Sequence, residues 1–140
     1  MTLKKAGGIP FYIKDDKLFV CLFVSNDGTY GGTAPQIAKG HVDEYETQRD
    51  AAVREVFEET GVDVGGAPRH AVFSGPFAGQ VEDYYLSVYL YKLDDRVEPA
   101  VGDEGEGVWY PIEDALCFIR LDQQAILEQA KWRAMLDDGW

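Results

Sequence analysis

Apolar positions along the chain fall into several short dense runs and one stretch of helical spacing. Leu18 to Val24 (Leu-Phe-Val-Cys-Leu-Phe-Val) is nearly continuous and reads as a buried strand. Ala6 to Ile13 reads as a shorter strand ahead of it, and Pro10 inside it points to a sheet edge or a bulge. Asp15-Asp16 lies between them as the turn of a hairpin. Val81 to Leu93, rich in β-branched and aromatic residues, reads as a long strand. Weaker strand patterns cover Gln36 to Lys39, Arg69 to Ser74 (closed by a turn at Gly75-Pro76) and Val108 to Pro111. Polar, glycine-containing stretches at 25–35, 63–68 and 94–107 read as loops.

The helical stretch is Thr47 to Thr60. Thr47 occupies an N-cap position with Asp50 three residues on, and Gly61 supplies the stop. On a wheel of 100° per residue, Ala52, Val53, Val56, Phe57 and Thr60 share one side. Glu55, Glu58 and Glu59 share the other, at i, i+3 and i+4, so their side chains converge. Like charges at that spacing repel, and they sit near the helix C-terminus, the end that disfavours negative charge. An arrangement that costs stability twice implies a cation to be held. Hard divalent cations such as Mg²⁺ prefer carboxylate oxygens.

Two further helices are expected: Ile112 to Ile119, led by Pro111, and a last one capped by Asp122 and running to about Asp137. Ile126, Leu127, Ala130, Ala134 and Met135 approximate its apolar face, with Trp132 and Leu136 nearby. Strands, a helix, more strands and terminal helices imply a mixed sheet with helices packed on it, α/β or α+β. No repeat or dividing linker is visible, so residues 1–140 are expected to form one domain.

Composition narrows the function. The 140 residues carry a net charge of −12, which argues against a nucleic-acid backbone partner and against an anionic membrane surface. A phosphate ester could then bind the acidic site only through a metal. Cys21 and Cys117 stand far apart and form neither a disulfide framework nor a zinc motif. Neither a signal peptide nor a run of about 18 apolar residues is seen, so a cytoplasmic protein is expected.

The acidic helix belongs to a longer pattern. Gly40 is followed after five residues by Glu46. Seven residues later come Arg54 and Glu55, then Val56, the pair Glu58-Glu59, Gly61 and Val62. At average usage each fixed letter matches by chance roughly once in fifteen, so seven together match on the order of once in a hundred million start points. A solvated acidic face does not account for such a register. The chain resembles the Nudix hydrolases, whose box reads G-x5-E-x7-R-E-U-x-E-E-x-G-U with U aliphatic. Relatives often carry proline where this chain has Ala38, and glycine where it has Tyr45.

The resemblance implies the Nudix fold, an α/β/α sandwich with a mixed sheet. It implies Mg²⁺ (or Mn²⁺) as cofactor, and hydrolysis of a nucleoside diphosphate linked to another group X. Gly40, Glu55, Glu58 and Glu59 are the expected metal ligands. Glu55, Glu58, Glu104 and Arg54 are the expected catalytic residues, with Glu106 the second choice to Glu104 as base and Glu46 supporting the loop or a second metal. Lys39, His41, Tyr30 and Tyr84 (or its neighbour Tyr85) are the substrate-side candidates. Lys39-Gly40-His41 resembles diadenosine polyphosphate hydrolases, and Ser74-Gly75-Pro76 resembles ADP-ribose pyrophosphatases. An adenine dinucleotide or ADP-sugar is therefore the expected substrate. Nucleoside triphosphates, and a nucleotide-binding regulatory module without catalysis, are the alternatives. Homodimers are common in the family.

Overall fold

The computed structural model describes residues 3–26, 33–136 and 138–140. Among these residues six strands make one sheet. β1 (Lys4–Lys14) and β2 (Lys17–Ser25) are the predicted hairpin, with Lys14 opposite Lys17. Asp15 and Asp16 have φ of 53° and 63°. A two-residue turn with both central residues left-handed matches the twist of the strands it joins, and Asp tolerates that region better than most residues.

β2 pairs on its outer side with β6 (Gly105–Pro111). β1 lies parallel to β5 (Asp83–Lys92), and β4 (Arg69–Ala78) closes that edge antiparallel to β5. The other side of β1 is shared: β3 (Ala38–His41) covers residues 5–8 and β2 covers residues 11–14.

This sharing corrects the expectation for Pro10. β1 is the central strand, not an edge. The Lys4 carbonyl accepts from Val42 on the β3 side, and the Phe11 carbonyl accepts from Leu93 on the β5 side. By alternation Pro10 faces the β3 side, at the gap between β3 and β2, where no N–H is needed. Gly75-Pro76 is corrected too. It does not turn the chain but continues β4, with Pro76 opposite Tyr85, a placement open to proline because β4 is an edge.

The strands alternate between two cores. Ile9, Phe11, Val20, Leu22, Val88 and Leu90 face α2 (Ile112–Phe118) and α3 (Gln124–Ala134). Tyr12, Cys21, Phe23, Tyr91 and Trp109 face Val56 of α1 (Gln48–Thr60) together with Val62 and Val64 just beyond it. Both sheet faces are thus covered, giving the expected sandwich with a mixed sheet. Period-two alternation explains it: each strand sends successive side chains to opposite sides.

On α1 the buried face is Ala51, Ala52, Val56 and Thr60; Phe57, placed on the apolar side by the wheel, is 55% exposed. The last helix also departs from expectation. Asp122 does not cap it but pairs with Arg120 at 2.6 Å, inside a 3-10 turn at Leu121–Gln123. α3 ends at Ala134, leaving Met135 and Leu136 beyond it, and they and Trp132 are exposed. Among the described residues no helix is long and apolar enough to cross a membrane.

Candidate active site

The site is built on the C-terminal half of α1 and on β3, which runs beside it. Thr47 Oγ accepts from the Asp50 amide at 3.1 Å, and Gly61 takes φ 76° with its N–H on the Phe57 carbonyl. These two caps set the register that turns the glutamates away from the core.

Arg54 holds them in place. Its Nε donates to Glu46 Oε2 at 2.8 Å and its Nη2 to Glu46 Oε1 at 2.9 Å. Nη2 also reaches the His41 carbonyl at 2.9 Å. Nη1 donates to Glu55 at 2.8 Å and lies 3.2 Å from Glu58 Oε2. One guanidinium therefore ties the loop before α1 to two acids on it. The bond from Arg54 holds the Glu46 carboxyl below its ordinary value, and these acids hold Arg54 firmly charged. Both Glu46 oxygens are taken by Arg54, and one also accepts from the Asp43 amide at 3.0 Å. Of the two roles expected for Glu46, this geometry suits loop support.

Glu55 lies against Gly40. A Cβ at position 40 would collide with its carboxylate, so glycine is what lets β3 approach α1 there. Burial raises the Glu55 carboxyl, with Arg54 opposing. Glu59 accepts from the Lys39 amide at 2.7 Å, and burial pushes it up to about 8. Lys39 is lowered to about 8, first by burial and then by the nearby Lys5. Glu58 stays half-exposed.

These groups open into a cavity of about 440 Å³. Lys39, Gly40, His41, Glu55, Glu58, Glu59, Tyr84 and Glu104 all line it. Arg54 and Glu46 stand behind the carboxylates. Glu106 does not line it but pairs opposite Val24 within the sheet. Tyr85 is turned to Ser74, its hydroxyl 2.9 Å away. Tyr30 lies outside the described residues. The sequence reading missed Lys5 and Arg120, which line the same cavity from the start of β1 and from the segment after α2. No spacing signals them; only the pairing of β1 with β5 and the packing of the C-terminal segment bring them in.

The donor set suits a hard cation: carboxylates with no soft ligand among them. Cys21 is buried with its thiol pushed up to about 12 by that burial, and Cys117 is exposed elsewhere. Among the described residues no three acidic, histidine or cysteine groups already converge on one point. Arg54 draws Glu55 and Glu58 toward itself, while the Lys39 amide occupies one oxygen of Glu59 and leaves the other available.

The fold recurs in solved structures. An Ap4A hydrolase binary complex from C. elegans superposes with a TM-score of 0.76 at 20% identity, covering 96% of this chain and 99% of that one. The NUDIX domain of Shewanella oneidensis NrtR complexed with ADP ribose gives 0.80 at 17% identity, covering 96% and 90%. MutT protein from Methanosarcina mazei Go1 gives 0.68 at 14% identity, covering 96% of each. At such identities the likeness establishes the fold alone. No curated protein sequence matches the chain. The NUDIX domain family, however, matches residues 4–134, nearly the whole length and with the acidic helix inside it; the chain belongs to the NUDIX family of hydrolases.

Proposed function

We propose that the protein is a Mg²⁺-dependent pyrophosphohydrolase that cleaves the diphosphate of an adenine nucleotide linked to a second group. The observation that carries this reading is that Glu55, Glu58 and Glu59 line one 440 Å³ cavity together with cationic side chains. An acidic site and an anionic substrate are compatible only through a bridging cation. Two structural neighbours support the adenine assignment, one an Ap4A hydrolase and the other a NUDIX domain complexed with ADP ribose.

Glu55, Glu58, Glu59 and the Gly40 carbonyl would hold the ion. Once bound, it supplies Lewis acidity at the phosphoryl oxygens and acidifies a water. The rest is positioning and charge, as in other phosphoryl transfers. Arg54 keeps two glutamates oriented by charge-assisted bonds. Glu55 or Glu104 accepts the proton of the attacking water. The raised carboxyl of Glu55 suits a base, because a carboxylate of higher pKa takes a proton more readily. Lys39, His41 and Tyr84, which line the same cavity, would contact the substrate.

The test is turnover. The protein is incubated with Mg²⁺ and ADP-ribose, diadenosine tetraphosphate, FAD, NADH or nucleoside triphosphates, and products are resolved by chromatography beside Glu58→Gln. Release of AMP from an adenine compound, abolished by EDTA and by the variant, is expected. Nucleotide binding without turnover of any compound would overturn the hydrolase reading.

A further inference from the structure

Lys5, Lys39 and Arg120 line one cavity in a protein with a net charge of −12. The Lys5 ammonium lies 4.4 Å from the centre of the Tyr84 ring, and that of Lys39 lies 5.9 Å from it. Neither lysine has a carboxylate within ion-pair distance among the described residues. Arg120 approaches from the segment after α2, its amide anchored on the Pro35 carbonyl at 3.0 Å. Its side chain is nine-tenths buried, with Nη2 on Asp122 at 2.6 Å. Its Nε is shielded from solvent and has no hydrogen-bond partner among the described residues. Lys5 and Lys39 repel each other across this space, and a buried donor left unmet costs free energy. An anion between the lysines and the guanidinium relieves the repulsion. A guanidinium whose fork is half used by Asp122 still presents donors in the geometry that phosphate oxygens match.

Resting on the hydrolase reading, we propose that Arg120, steadied by Asp122, together with Lys5 and Lys39 over Tyr84 in the same cavity, forms an anion subsite for the departing portion of the substrate. The preferred substrate then carries further phosphates beyond the bond that is cut, in place of an uncharged sugar. In the reaction, the water oxygen bonds to the attacked phosphorus while its proton passes to a carboxylate. The bridging P–O bond breaks, and its electron pair leaves on the oxygen of the departing phosphate. The added negative charge appears on the group these cations surround. A phosphate chain brings more charge to that point than ribose does, so charge on the leaving group is what the subsite reads.

The experiment compares wild type, Arg120→Gln, Arg120→Lys and Lys5→Gln on diadenosine tetraphosphate and on ADP-ribose with Mg²⁺. Loss of a charge-assisted contact predicts a fall in kcat/KM of about tenfold to a hundredfold on the tetraphosphate for Arg120→Gln. The fall on ADP-ribose, whose departing group carries a single phosphate, should be several-fold smaller, and Arg120→Lys should recover part of the loss. In parallel, inorganic tripolyphosphate is titrated calorimetrically with Ca²⁺ in place of Mg²⁺. Binding should weaken in Arg120→Gln and Lys5→Gln. Equal losses on both substrates, with tripolyphosphate binding unchanged, overturn the subsite and leave the hydrolase reading standing. No turnover by wild type, with tripolyphosphate binding that depends on Arg120, removes the hydrolase reading and keeps the subsite.

Discussion

Arg54 grips both oxygens of Glu46, eight residues earlier, with bonds of 2.8 and 2.9 Å, and so binds the loop before α1 to the helix itself. The remaining nitrogen reaches Glu55 and Glu58. Arg54→Ala should therefore lower stability by about 1–3 kcal/mol, because Glu46 and the largely buried Glu55 lose their partner. Lysine should not rescue it, since an ammonium cannot span both Glu46 oxygens and still reach Glu55. Urea unfolding of the two variants measures the loss, and Mg²⁺-dependent turnover should fall by at least about a hundredfold in both through misplacement of the carboxylates.

Gly40→Ala separates activity from folding. The added methyl meets the end of the Glu55 side chain, which can swing away at little cost to the fold. The free energy of unfolding should fall by about 1 kcal/mol, less than in Arg54→Ala because Glu46 keeps both its bonds to Arg54. Turnover should drop by about tenfold or more, because Glu55 then leaves both Arg54 and its place in the site. A large loss of stability with activity per folded molecule intact would show that Gly40 serves only packing.

Tyr45 stands where relatives often have glycine, and its φ is 67°. A left-handed backbone costs a side-chain-bearing residue roughly 1–2 kcal/mol, and Tyr45 is 98% exposed, so packing returns nothing. Tyr45→Gly should raise stability, by less than about 1 kcal/mol once the extra freedom of the unfolded glycine is counted. Thermal melts at matched pH check the sign.

What was legible in the chain was local. The caps Thr47 and Gly61 bounded α1 to within a residue, and the i, i+3, i+4 spacing put Glu55, Glu58 and Glu59 together because helix geometry allows little else. The apolar run at 18–24 announced β2. What failed depended on neighbours that spacing does not encode. Pro10 is central because β3 and β2 leave a gap beside it, and Pro76 stays in a strand because β4 has a free edge. Phe57 shares the wheel's apolar side, yet the sheet is reached by Ala52 and Val56 instead. Lys5 and Arg120 come from opposite ends of the sequence to one cavity, a meeting set by sheet pairing and by the turn at 121–123.

Glu59 gives the protein a pH dependence that Mg²⁺ should reverse. Burial raises its carboxyl from the ordinary 4.5 to about 8 in the metal-free fold. Between those values the folded chain keeps a proton that the unfolded chain has released, so the Glu59 contribution to stability falls as pH rises from about 4.5 through about 8 and then levels, while Lys39, lowered to about 8, adds a rise only above that. Glu59→Gln keeps an oxygen for the Lys39 amide but has nothing to ionise, so its metal-free stability should vary less with pH across that window and exceed wild type near pH 8.5. A bound divalent cation favours the ionised carboxylate, so wild type should release a proton on binding Mg²⁺ near pH 7 and bind it more tightly as pH rises toward 8. Calorimetry in two buffers of different ionisation enthalpy counts that proton. Metal binding without proton release, or a Gln variant that tracks wild type across the whole range, would remove Glu59 as the titrating ligand.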